Sequence, residues 1–172
     1  MSEKSTSAAG LVPFGEKLAS SQTFSSFFRE GMALVEETAV YLDGPGRQDA
    51  KKLERAASLA YATESMRLTT RLMQLASWLL LHRAVNEGEM SLAQANKEKR
   101  KVKLASGGQI DEATLKTLPA RLRDLIVRSN RLQEKVRRLD ATIHAAPASD
   151  PIASPVTSQL TQLRAAFERA DS

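Results

Sequence analysis

The most chemically capable residues of this 172-residue chain are Glu64, Arg67, Arg71 and Gln74, spaced by three or four positions. On a helix that spacing lines them along one side. Guanidinium groups placed there can each hold a partner's carboxylate through two hydrogen bonds, or can pair inside the chain with Glu36, Glu37 or Asp43. A second set is the cationic run Lys97, Lys99, Arg100, Lys101 and Lys103 in NKEKRKVK, which can grip phosphates or an acidic protein surface. No aromatic residue is interleaved to stack on bases, and no helix-turn-helix spacing is evident. A basic DNA- or nucleoid-associated protein therefore stands as the alternative reading and protein docking as the first.

Catalytic patterns are missing. The two histidines, His82 and His144, are far apart and have neither HExxH nor three-ligand spacing, so both read as ordinary surface or interface residues. There is no GxSxG, GxxxxGK[ST] or GxGxxG, and no cysteine to act as nucleophile, metal ligand or disulfide partner. The expectation is a protein that is not an enzyme and that takes no cofactor or metal. The first residues, MSEKSTSAAGLVPFGEKLASS, lack the basic lead and apolar run of a secretory signal. The greasiest stretch, Leu72 to Val85, carries Gln74, Ser77, His82 and Arg83 and is shorter than the roughly 20 apolar residues of a membrane span. A cytoplasmic protein is expected.

The elements that position these residues are helical. Ala, Leu, Arg, Lys and Glu dominate, and aromatic residues make up only 5%. Residues 1–22 read as a flexible arm and 147–172 as a proline-rich linker with a short amphipathic tail helix, leaving 23–146 for the folded body. A first helix over 24–43 opens near Thr23 or Ser25, carries Gly31 on its apolar stripe for close approach of a neighbour, and stops at Asp43-Gly44-Pro45-Gly46, with Gly44 left-handed. From Arg47 to Glu87 there is neither glycine nor proline, which predicts one very long middle helix over 47–87, closed by Gly88. Ser91 and Gln94 suggest a capping box before a basic loop over 95–110, and Asp111 a cap for a short turn.

A third helix over 118–145 carries Leu118, Leu122, Leu125, Leu132, Val136, Leu139 and Ile143 in alternating steps of four and three, with Ser129 in the gap. The fold class is all-α, an antiparallel up-down-up three-helix bundle with short connections. Residues 24–46 carry four acidic and one basic side chain, while 119–145 carry seven basic and three acidic. Those two helices should attract, and part of the net charge of +5 is thereby directed inward. The middle helix has more apolar surface than two neighbours can cover. The surplus, placed around Trp78, Leu81 and Val85, calls for a second copy of the chain, or else for the arm or tail helix folding back.

Two stretches, FFREGMALVEETAVYLDGPGR and LAYATESMRLTTRLMQLASWLLLHRAVNEGEM, resemble the RcdA family, regulators of CtrA degradation, and the likeness runs from about Phe24 to Leu139. It implies a small three-helix bundle that dimerises and a non-enzymatic adaptor in regulated proteolysis. The partners it implies are a ClpX unfoldase primed by a response-regulator adaptor, a cyclic-di-GMP-binding adaptor, and a transcription-factor substrate such as CtrA, delivered to ClpXP at a cell pole. It assigns no individual docking residue, so the candidates remain Glu64, Arg67, Arg71 and the Lys97–Lys103 run.

Overall fold

A computed structural model describes residues 22–101 and 110–144, and these form six helices with no strand among them: α1 (Gln22–Asp43), α2 (Pro45–Lys51), α3 (Arg55–Asn86), α4 (Leu92–Lys99), α5 (Glu112–Thr117) and α6 (Ala120–His144). The expected arm, the linker and the tail helix lie outside the described residues, except that Gln22 is already helical. The three long helices, α1, α3 and α6, touch one another pairwise. Their shared core is the leucine seam of α6 with Phe24, Leu34 and Tyr41 of α1 and Leu68, Leu72, Leu75, Trp78 and Leu79 of α3. Each buried leucine contributes about 2 kcal/mol through loss of water-exposed apolar surface. Gly31 brings α1 and α3 together as its sequence position suggested, since a Cβ there would sit 2.5 Å from Leu79 Cδ1.

The up-down-up order is not what forms. Glu37 pairs with Arg128 at 2.8 Å and Glu30 with Lys135 at 3.2 Å, so α1 and α6 run antiparallel. Arg71 meets Ser129, Trp78 meets Asp140 and His82 meets His144, so α3 and α6 run parallel. The reason lies in residues 87–119, which are not a short connection. Their α4 lies beside the end of α3, around Ser77–Ala84, and their α5 beside its beginning, around Ala56–Arg67. The described parts of the segment, α4 and α5, thus lie at opposite ends of α3. This order gives the acidic α1 and basic α6 opposed dipoles as well as opposed charges.

The middle helix also departs from expectation. It is interrupted at Lys52–Glu54, although no glycine or proline stands there. Lys52 and Leu53 donate to Asp49 and Ala50, three residues back, and Glu54 is extended with ψ 161°. Tertiary contacts hold the separate α2. The buried Tyr41 hydroxyl donates to Asp49 Oδ2 at 3.1 Å, and a Cβ on Gly46 would lie 2.6 Å from the Tyr61 hydroxyl. A buried phenol needs that acceptor, and it outweighs the helix propensity of Arg47–Arg55. Gly44 has φ −121°, not left-handed, so Pro45 as the first helical residue makes the corner alone.

Gly88, with φ 74°, closes α3. Glu89 N–H donates to Ala84 O and Gly88 N–H to Val85 O, the paired closing bonds of a left-handed helix end. The capping box of Ser91 and Gln94 forms, and Asp111 accepts from the Thr114 amide at 2.9 Å. The span expected as a basic loop over 95–110 is helical as far as Lys99.

Candidate docking interface

The ladder on α3 divides between core and surface. Glu64 is buried and takes Arg67 at 2.7 Å, while Arg71 is buried and donates to Ser129 Oγ at 2.9 Å. Ser129 in turn donates to the Ile126 carbonyl, so the one polar position in the leucine seam exists to receive a guanidinium. Burial pulls the Arg71 pKa down, and the nearby Glu64 carboxylate offsets part of that. Arg71 Nε has no partner among the described residues. Neither Glu64 nor Arg71 can meet another protein, and the arginines pair with Glu64 and Ser129 in place of Glu36, Glu37 or Asp43. Gln74 is half-exposed, and Arg67 reaches the surface. It borders a groove of about 540 Å³ between the first half of α3 and α5, floored by Ala57, Ala60 and Thr63 and closed opposite by Asp111.

The cationic run is likewise partly committed. Lys99 Nζ reaches both carboxylate oxygens of Asp140 and is largely covered. Lys101 pairs with Glu98 at 2.9 Å. Lys97 and Arg100 stand exposed, and Lys103 lies outside the described residues.

Asp140 is the centre of a cluster that sequence reasoning missed. Its carboxylate accepts the Trp78 indole N–H at 2.8 Å, holds Lys99 and lies 3.3 Å from His144 Nδ1. His144 also bonds Asn96 of α4. His82 stacks on Trp78 with centroids 4.1 Å apart and meets the edge of His144 at 6.4 Å. The two histidines are therefore neighbours: His144 is exposed, as a surface residue was expected to be, and His82 is not. His82 is buried, and burial, against a raising effect of Asp140, pushes its pKa down to about 4. The available signal was the parallel course of α3 and α6, which the periodicity of each helix alone does not contain. Among the described residues no group of three His, Asp or Glu side chains has metal-binding geometry, and no helix is long and apolar enough to cross a membrane.

Of the face expected around Trp78, Leu81 and Val85, burial removes Trp78. Trp78 is 1% exposed, spent on Asp140, His82 and Phe24, and Leu81 and Val85 are half-buried. The surplus apolar surface exists on another side of α3. Of the five large apolar side chains that the described residues leave exposed, four are Leu59, Met66, Met73 and Leu80, one every seven residues along that helix.

Comparison with known proteins agrees with this architecture. The family model described as a protein of unknown function, DUF1465, matches residues 15–167. No curated protein matches the chain. Among solved structures, RcdA from Caulobacter crescentus CB15 is similar with a TM-score of 0.63 and 51% sequence identity, over 76% of this chain and 98% of that one. With half its aligned residues shared and nearly all of that protein covered, the chain belongs to the RcdA family, whose domain is DUF1465.

Proposed function

We propose that this chain is a non-enzymatic adaptor of regulated proteolysis, one that helps deliver cell-cycle substrates such as CtrA to ClpXP. The observation that carries this reading is the 51% identity to RcdA across nearly the whole of that protein. An adaptor needs no reactive group. It needs separate docking faces on a stiff body, and the three mutually packed long helices provide the body. Its partners would be a ClpX unfoldase primed by a response-regulator adaptor, a cyclic-di-GMP-binding adaptor and the transcription-factor substrate, met in the cytoplasm at a cell pole. Weak contacts to several partners at once reinforce one another.

Within the docking set suggested by the sequence, Lys97 and Arg100 stand exposed to an acidic partner surface, while Arg67 is exposed but already holds Glu64. The commitment of Lys99 and Lys101 to carboxylates of the chain itself leaves the nucleic-acid alternative with less charge than the sequence suggested. The test is reconstitution with purified ClpXP, its primer and a CtrA-type substrate. Addition of this chain should accelerate substrate loss several-fold while hydrolysing no ATP alone. Charge reversal at Lys97 and Arg100 together should remove most of that acceleration with helix content unchanged. No acceleration at any concentration, with tight salt-dependent DNA binding instead, would overturn the reading.

A further inference from the structure

The groove between the first half of α3 and α5 is shaped for an apolar segment. Ala56, Ala57 and Ala60 make its α3 side a trough without bulky side chains. On the opposite side Thr114 Oγ1 donates to Asp111 Oδ2 at 2.6 Å and Thr117 Oγ1 to the Thr114 carbonyl at 2.7 Å. Each hydroxyl is turned onto its own helix, so neither asks the groove for a partner. Helix α5 itself wants a cover. It is six residues long with none of them fully buried, and a helix so short does not persist in water by its own hydrogen bonds. The chain continues beyond His144, and its sequence holds a segment that matches. Val156, Leu160, Leu163 and Phe167 stand four, three and four residues apart, the spacing of one helical face. Eleven residues separate the first from the last, as eleven separate Ala56 from Arg67, about 16 Å in either case at 1.5 Å per residue. The family match runs on to the end of this segment, residue 167.

We propose that Val156–Phe167 docks as a helix in the groove between α3 and α5 of its own chain, tethered by Ala145–Pro155. Reach selects this occupant. Helix α6 runs parallel to α3 and delivers His144 beside His82. The near end of the groove, Arg67, lies fifteen residues back along α3, about 23 Å at 1.5 Å per residue. Eleven tether residues, with prolines at 147, 151 and 155, extend over about 34 Å at 3.1 Å each, which covers that distance and the breadth of a helix besides. The segment then enters at Arg67 and runs antiparallel to α3, towards Ala56. Charge agrees with the fit. The groove is bordered by Arg67 and Asp111, and the segment carries Arg164 and Glu168 one helical turn apart, so each sign has an opposite to meet. A tethered segment acts at an effective concentration of about a millimolar, so the groove stays filled even where a free peptide would bind weakly. While docked it covers Arg67, and an acidic partner reaching for that side chain has first to displace it. The proposal goes beyond the adaptor reading, and its test contains no protease component.

Because the chain has no cysteine, introduced pairs report the contact in the full chain. Thr63→Cys, at an exposed groove position, with Leu160→Cys should be joined by a short bifunctional thiol reagent about tenfold faster than Val40→Cys with Leu160→Cys. An undocked tail would favour the second pair. Val40 is exposed and lies sixteen residues along α1 from Phe24, about 24 Å from the end where His144 sits, whereas Thr63 lies nineteen residues from His82, about 29 Å. Adding Leu163→Glu and Phe167→Glu should abolish the difference. Both positions fall beyond His144 and outside the packed core, so the bundle folds as before. In hydrogen exchange, amides of α5 and of residues 156–167 should both exchange about tenfold more slowly in the parent than in the chain with the two glutamates. Equal linking of the two cysteine pairs, links formed between chains instead of within one, or exchange at α5 indifferent to the glutamates would each overturn the proposal.

Discussion

Ser129 and His82 show how single polar atoms are settled inside this bundle. Ser129 Oγ accepts from Arg71 in a wholly buried site, so Ser129→Ala leaves a cationic donor unpaired and should cost about 2 kcal/mol in a urea titration, more than one methylene-sized change would. His82 sets a dependence on acid. Its pKa falls from 6.5 in the unfolded chain to about 4 in the fold, so above pH 6.5 both states are neutral there and stability is unaffected. As the pH drops from 6.5 towards 4, the unfolded chain takes up a proton that the buried ring refuses. Stability then declines by at most about 3 kcal/mol. His82→Phe keeps a ring on Trp78 and should flatten this part of the profile, read as the urea midpoint at pH 7 against pH 4.5. The sequence exposed Ser129 as a break in the seam and placed Arg71 on a ladder, yet which residue lay opposite depended on the relative direction of two helices.

Helix α1 carries its own test at Gly31. Alanine there gains about 1 kcal/mol of intrinsic propensity, but its Cβ would come within 2.5 Å of Leu79 Cδ1, in a side chain with no exposed surface into which to retreat. Overpacking at such a site costs about 1–3 kcal/mol, so Gly31→Ala should be neutral to destabilising by about 2 kcal/mol, measured from the thermal midpoint. At the corner, Asp49→Ala removes the acceptor of the Tyr41 hydroxyl, and should lower stability by about 1–2 kcal/mol. Helix existence was legible throughout: the seam of α6, the close approach at Gly31, the capping box at Ser91 and the cap at Asp111 all follow from residue types. The break at Lys52–Glu54 was not. It is made by Tyr41 and Tyr61 acting on Asp49 and Gly46, and local propensity has no record of such ties. The seven-residue recurrence of Leu59, Met66, Met73 and Leu80 was present in the sequence, but only burial of the other faces distinguished it from core.

Across the whole molecule, Trp78 reports on the three long helices together. It is the single tryptophan, it lies on α3, its ring faces Phe24 of α1, and its indole N–H is held by Asp140 of α6. Loss of its fluorescence should therefore coincide with loss of helical circular dichroism along a urea titration; an earlier fluorescence change would mean that this end of the bundle opens separately. All-helical architecture and the attraction between acidic and basic helices could be read in advance. The relative direction of α3 and α6 could not, because it rests on where α4 and α5 lie along α3. That direction fixes where traction would act. The first turn of α1 and the last of α6 meet at one end, Phe24 and His144 both resting against His82. Opposite tugs on the two chain ends would part their neighbouring helices one contact at a time, like a zip, and would never load the seam lengthwise.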